Sequence, residues 1–232
     1  MNDYLVITCE HGGNRIPARY CDLFRGYAAL LTTHRGYDAG ALTMARELAR
    51  EFAAPLVAAT VSRLLIDLNR SIGHRHLYSG ATRNLAKKVR AEIVRDHYRP
   101  YRNEVEGLVQ RAVCGGKNVI HVSSHSFTPE LDGEVRDADI GLLFDPKRAG
   151  EALLAGRWQA ALKAAAPKLK VRRNYPYAGK ADGLTCTFRR SFSPAKYVGI
   201  ELEINQKHAK AGARWRQLRR IVAATLRAAL SE

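Results

Sequence analysis

The sequence predicts an α/β fold: a mixed, mostly parallel sheet with helices on both faces. Three observations lead there. Strand-like and helix-like segments alternate along the chain, the order that strand–helix–strand units require. The segments "YLVIT", "NVIHV" and "YVGIELEIN" are apolar enough to be buried on both sides, as strands of such sheets are. No repeat, low-complexity tract or linker divides the chain, so residues 1–232 are expected to form one domain, and 46% hydrophobic residues suffice for one sizeable core.

The elements follow in order. Residues 4–8 read as a strand that ends in Glu10-His11-Gly12-Gly13, polar side chains followed by backbone that bends freely. Asp38 stands where the helix "AGALTMARELAREF" should begin, placed either to cap it or to lend a carboxylate to a site. "APLVAATVSRLLIDLNRS" reads as one or two strands, and residues 71–83, rich in Gly, His and Ser, as a loop. Leu85, Val89 and Ile93, then Tyr101, Val105 and Leu108, mark helical faces, with Pro100 expected to kink or divide the helix. "GGKNVIHVSSHSF" repeats the opening theme of glycines, an apolar strand and a histidine, and "DADIGLLFDP" repeats it with acids. Residues 149–166 read as helix, "KVRRNYPYAG" as strand then loop, "YVGIELEIN" as strand and residues 211–230 as a closing helix.

The formal net charge of +16 suits nucleic acid, an acidic membrane or a small anion. The basic residues are spread over amphipathic helices, and no RNP-like, zinc-finger or helix-turn-helix signature accompanies them. Specific nucleic-acid binding is therefore not expected. No run approaches membrane-spanning length, and the first residues lead into a strand without the segments of a signal peptide, so a cytoplasmic enzyme is expected. Four cysteines with no CxxC pair point to reduced, mostly buried thiols.

In an open α/β sheet, polar residues at strand C-termini meet on one rim. His11, Asn69, Arg70, His125, Asp139 and Glu203 all fall at or near such ends. His11 and His125, each preceded by an apolar strand and followed by small residues, are the candidate metal ligands, since two imidazoles and a carboxylate leave zinc an open position. Asp38 is the preferred third ligand and Glu10 the second choice, because neighbours in a strand point apart. Asn14 is a poor ligand.

Arg63, Asp67, Asn69 and Arg70 place two guanidiniums and an amide within eight residues, an array that fits a carboxylate and polarises a carbonyl. The alternative is an Asp67–arginine pair that only fixes a loop. Glu201 and Glu203 share one strand face, and burial would make either a better base; Glu203 is the expected proton carrier, with Glu201 in support. Asn174 and Tyr177 are candidates to bind substrate, whereas Tyr98 and Tyr101 suit core packing better. Ser124 and Ser126 flank His125, but no Gly-x-Ser-x-Gly elbow is present.

Taken in order, "EHGGNRIP", "RGYDAGA", "SRLLIDLNRS", "SSHSF", "DADIGLLFD", "NYPYAG" and "IELEIN" resemble the N-formylglutamate amidohydrolase family, distant relatives of zinc carboxypeptidases and aspartoacylases. The resemblance covers residues 4–206. It implies a phosphorylase/hydrolase-like, zinc-exopeptidase-like fold and zinc-dependent hydrolysis of a small acidic N-acyl amino acid, N-formyl-L-glutamate in the named case, a reaction of histidine degradation. It also implies that His11 and His125 are metal ligands and that Arg63 polarises the scissile carbonyl. Asn69 and Arg70 then grip a substrate carboxylate, and Glu203 is the catalytic glutamate. The chain departs from the family in having Glu-His-Gly-Gly for Pro-His-Ser-Gly, Gln206 for an arginine and Asn14 in place of the wider group's second ligand. A peptidase acting on short or cell-wall peptides and a non-catalytic anion- or RNA-binding module are the rival readings.

Overall fold

The computed structural model describes residues 3–231. Strands β1 (Asp3–Cys9), β2 (Leu56–Ala58), β3 (Asn118–Phe127), β6 (Ile140–Leu143), β7 (Val171–Arg173) and β8 (Tyr197–Asn205) form one sheet in the order β2-β1-β3-β8-β6-β7. Every neighbouring pair is parallel except β6 with β8. A separate hairpin joins β4 (Glu130–Leu131) to β5 (Glu134–Val135).

The helices are α1 (Ala28–Leu31), α2 (Ala41–Phe52), α3 (Lys87–Ile93), α4 (Arg99–Cys114), α5 (Ala149–Ala165), α6 (Leu184–Ser191) and α7 (Ala213–Ser231). One face of the sheet, with Ile7, Val122, Ile200 and Leu202, packs on α2, α5 and α7 through Met44, Leu48, Trp158 and Leu226. The other, with Val6, Val119 and Tyr197, packs on α3, α4 and α6 through Ile93, Val105, Leu184 and Phe188. Full burial of side chains the size of Leu48 or Ile93 contributes roughly 1.5–3 kcal/mol each. Among the described residues no helix is long and apolar enough to cross a membrane.

Pro100 divides its helix as its ring demands: α3 gives way to a π-helical turn at Val94–Tyr98, and Pro100 sits in the first turn of α4, where it withdraws no needed hydrogen-bond donor. The strands expected in "APLVAATVSRLLIDLNRS" shrink to β2 and an isolated bridge between Val61 and Arg15. Side chains there compete with the ladder for backbone groups. Ser62 Oγ donates to Gly36 O at 2.8 Å, and Asp67 Oδ1 accepts from the Asn69 amide at 2.9 Å, so residues 62–70 fold as turns while Leu65, Ile66 and Leu68 still bury. Helix α6 carries no strong sequence signal; Leu184 and Phe188 fix it against the sheet. Of the four free cysteines, Cys9 and Cys186 are buried but Cys21 and Cys114 are exposed.

Candidate active site

The turn after β1 needs its glycines for space. A Cβ on Gly12 would stand 2.8 Å from Ala59 O, and one on Gly13 2.6 Å from Thr60 O. The close approach carries the chain onward, and the Asp38 amide returns to bond the His11 carbonyl at 2.9 Å. Gly40, in the left-handed region at φ 84°, is the N-cap of α2, so Asp38 does not cap the helix and its carboxylate is available to the site.

Strand β3 divides its side chains by parity. Ser124 Oγ and Ser126 Oγ donate to Ala41 O and Ala39 O at 3.0 and 2.8 Å, clamping the start of α2 and pointing away from His125. This geometry excludes a serine–histidine pair at these positions. His125 projects from the other face, its ring centre 5.2 Å from that of His11.

Both imidazoles aim Nδ1 at one carboxylate oxygen. His11 Nδ1 is 3.3 Å and His125 Nδ1 2.9 Å from Asp38 Oδ2, and donor atoms of the three residues all lie within 4.8 Å of one another. Each opposite ring nitrogen has its own carboxylate. Asp67 Oδ1 lies 2.7 Å from His11 Nε2, and Glu10 Oε2 lies 2.9 Å from His125 Nε2. Without a cation, burial opposes a charge on His125, but hydrogen bonds to Asp38 and Glu10 outweigh it and raise the proton affinity of the ring. A divalent cation held by the two Nδ1 atoms and Asp38 would displace the proton between them and leave Nε2–H to the acids behind, the arrangement in which carboxylates orient histidine ligands. Asp38 supplies the third donor, and Glu10, the second choice from the sequence, lies behind His125 instead.

The supporting acids are buried and ionised. Burial opposes the charge on Glu10, but hydrogen bonds from His125, from Ser123 at 2.5 Å and from Tyr101 at 2.6 Å outweigh it and hold the carboxyl well below its usual range. Asp38 is likewise held low against burial by His11, His125 and Arg63, and Asp67 by Arg63 and His11. Arg63 joins the two aspartates, with Nη1 3.3 Å from Asp38 Oδ1 and Nη2 2.8 Å from Asp67 Oδ2.

Glu203 behaves oppositely. It pairs in register with His125 across β3 and β8, and burial, reinforced by the charges of Asp38 and Glu201, pushes its carboxyl up to about 8. Its Oε2 is buried with no hydrogen-bond partner. Glu203, His11, Asp38, His125, Arg63 and Arg70 all line one cavity of about 490 Å3.

The remaining candidates separate into two groups. Asn69, Arg70, Tyr177 and Glu201 also line the cavity. Asn69 Oδ1 accepts the Leu184 amide at 2.7 Å, which fixes the start of α6, while its Nδ2 stands 3.5 Å from His125 Nε2. Arg70 donates to Asp182 O and keeps a buried, unpartnered Nε; Glu201 Oε1 accepts from Thr185 Oγ1 at 2.6 Å. Asn174, expected to touch substrate, is not among the lining residues. Its Oδ1 accepts the amides of Phe144 and Gly179 at 3.0 and 3.2 Å and so shapes the loop that presents Tyr177.

Asn14 anchors to Leu31 O, Tyr98 to Arg70 O, and Asp139 is taken by Lys207 and His208. The sequence reading missed Asp67 as the partner of His11 and Glu10 as the partner of His125. An acid two residues from Asn69 and another beside His11 were the only signals.

A family model described as N-formylglutamate amidohydrolase matches residues 4–209. Among solved structures, a gene product of Agrobacterium tumefaciens is 29% identical with a TM-score of 0.84, over 98% of this chain and 90% of that one. An N-formylglutamate amidohydrolase from Ralstonia eutropha shares the fold at 19% identity and a TM-score of 0.69, over 98% and 93%. No curated protein matches the sequence.

Proposed function

The chain belongs to the N-formylglutamate amidohydrolase family, and from that membership we propose that it hydrolyses the amide bond of a small N-acyl amino acid, with N-formyl-L-glutamate the first substrate to test. His11, Asp38 and His125 hold a divalent cation, zinc being the expected one. When bound, that cation supplies Lewis-acid polarisation of the scissile carbonyl and lowers the pKa of water.

The chain's own groups do the rest. Glu203, whose unpartnered Oε2 lines the same cavity as the three donors, takes a proton from the attacking water and delivers it to the leaving amine; a cation in that cavity would favour its ionised form. Arg63, fixed by Asp38 and Asp67, presents its remaining N–H groups to the oxyanion. Arg70 and the Asn69 amide nitrogen hold the α-carboxylate, and Tyr177 closes the mouth of the cavity.

One observation carries this reading: three donor atoms converge beside a buried carboxylate oxygen that has no partner of its own. The test is metal analysis of the purified protein with a panel of N-formyl and N-acetyl amino acids and dipeptides. Stoichiometric metal with hydrolysis of an acyl amino acid is expected. A metal-free protein inactive on the whole panel, after reloading with zinc, would refute the reading, and preference for dipeptides would favour the peptidase. Glu203→Gln should abolish turnover and leave metal content intact.

A further inference from the structure

Tyr101 fills the packing role its spacing predicts and then exceeds it. On α4 it heads the buried stripe of Tyr101, Val105, Val109 and Ala112, which presents one helical face to the sheet. Its ring belongs to the apolar layer with Val6 and Val57. The hydroxyl reaches further. It donates to Glu10 Oε1 at 2.6 Å, with Val57 O a weaker acceptor at 3.3 Å. Burial, reinforced by the charge of Glu10, holds the phenol well above its usual range, so the group acts as a donor.

Glu10 is fully buried, and its two oxygens divide their partners. Oε1 takes Tyr101, while Oε2 takes Ser123 Oγ at 2.5 Å and His125 Nε2 at 2.9 Å. Among the described residues no lysine or arginine pairs with it. Asp67, the acid behind His11, is held differently, by Arg63 Nη2 at 2.8 Å. Ser123 lies on the same strand as His125, and Glu10 directly follows β1, so Tyr101 is the contact that ties this carboxylate to a helix. A carboxylate tethered through both oxygens is fixed in rotation, and a fixed carboxylate fixes the imidazole it meets.

We propose that Tyr101 is a positioning residue for His125: its hydroxyl fixes Glu10, and Glu10 fixes the ring that ligates the cation. The proposal rests on the reading above in which His11, Asp38 and His125 hold that cation. It makes α4, which contributes nothing to the lining of the cavity, a support of the metal centre.

Tyr101→Phe keeps the ring and removes the hydroxyl. Zinc affinity is measured by chelator competition on wild type, Tyr101→Phe, Glu10→Gln and their combination, after thermal melts establish that each is folded. Tyr98→Phe is the control, since it deletes a buried phenol hydroxyl that bonds Arg70 O instead. Tyr101→Phe should weaken zinc binding about three- to tenfold, the worth of one hydrogen bond, and shift the visible absorption bands of the cobalt(II)-loaded protein. Tyr98→Phe should do neither. Added to Glu10→Gln, Tyr101→Phe should cost less than about twofold, because its route to His125 is already cut. Unchanged affinity, an equal loss in both backgrounds, or an equal loss in Tyr98→Phe would overturn the proposal. Should Tyr101→Phe not fold, wild type carries the test: the carbon NMR signal of Tyr101 Cζ should move on zinc loading, and an unmoved signal overturns the proposal. Wild type that takes up neither metal sinks the cation reading itself, whereas normal uptake with an indifferent Tyr101→Phe sinks only the positioning role.

Discussion

His11 Nε2 and Asp67 Oδ1 lie 2.7 Å apart, and this contact fixes the imidazole with its other nitrogen towards Asp38 and His125. Carboxylates placed behind histidine ligands typically account for about 10–100-fold in metal affinity. Asp67→Asn should weaken zinc binding by that order in chelator-competition titrations and leave thermal stability of the metal-free protein much less affected than Asp38→Asn leaves metal content. Unchanged affinity would mean that Asp67 serves only Arg63.

Glu203 ties stability to pH. Its carboxyl is raised from 4.5 to about 8 in the folded, metal-free protein. Below pH 4.5 it is protonated folded and unfolded alike; between 4.5 and 8 the unfolded chain ionises it first, so its contribution is lost as pH rises. Glu203→Gln removes this dependence. The stability of the variant relative to wild type, measured by urea denaturation without metal, should grow by up to about 1.4 kcal/mol per pH unit across that window and level off above it.

His121 works in the opposite direction. Buried in the core, it bonds Thr8 Oγ1 through Nε2 at 2.8 Å and the Tyr197 hydroxyl through Nδ1 at 2.7 Å, and burial, aided by Arg189, His125 and Arg102, lowers its pKa from 6.5 to about 4. Above pH 6.5 it is neutral in both states. As pH falls to 4 the unfolded chain takes the proton and the folded protein does not, so stability is lost, on the order of 3 kcal/mol over the window. His121→Gln should flatten this limb of the pH–stability curve; a curve that stays as steep would assign the acid sensitivity elsewhere.

Gly141 on β6 pairs with Glu203 on β8. A Cβ there would run into the carbonyl of Tyr175 and stand 3.2 Å from Glu203 Cβ. Gly141→Ala should therefore cost about 1–3 kcal/mol in denaturant unfolding and depress turnover, because relief requires the loop bearing Tyr177 to move. Gly156→Ala, in the interior of α5 where nothing stands within 4 Å, is the control expected to leave turnover unchanged and to raise stability by about 0.5–1 kcal/mol.

The alternation of elements and the apolar strands made the sheet legible, since burial on both faces leaves a direct mark in composition. Placement of His11, Asp38, His125 and Glu203 was legible too, because strand ends and a helix start are local features and parallel strands bring them to one rim. Residues 62–70 were not. Their apolar content imitates a strand, and only the fold shows that Ser62 and Asp67 turn the backbone by bonding it. The division between the acid that faces both Nδ1 atoms and the acids that face the back of an imidazole was equally hidden. It depends on which ring nitrogen each carboxylate meets, a matter of register between β1 and β3.

The bond from the Asp38 amide to the His11 carbonyl also bears on the proposed cation site. Two of its three donors are braced to each other through main chain as one frame, so capture and release of an ion would need only side-chain rotation. Stripping the ion with a chelator should therefore leave the frame standing, ready to be refilled.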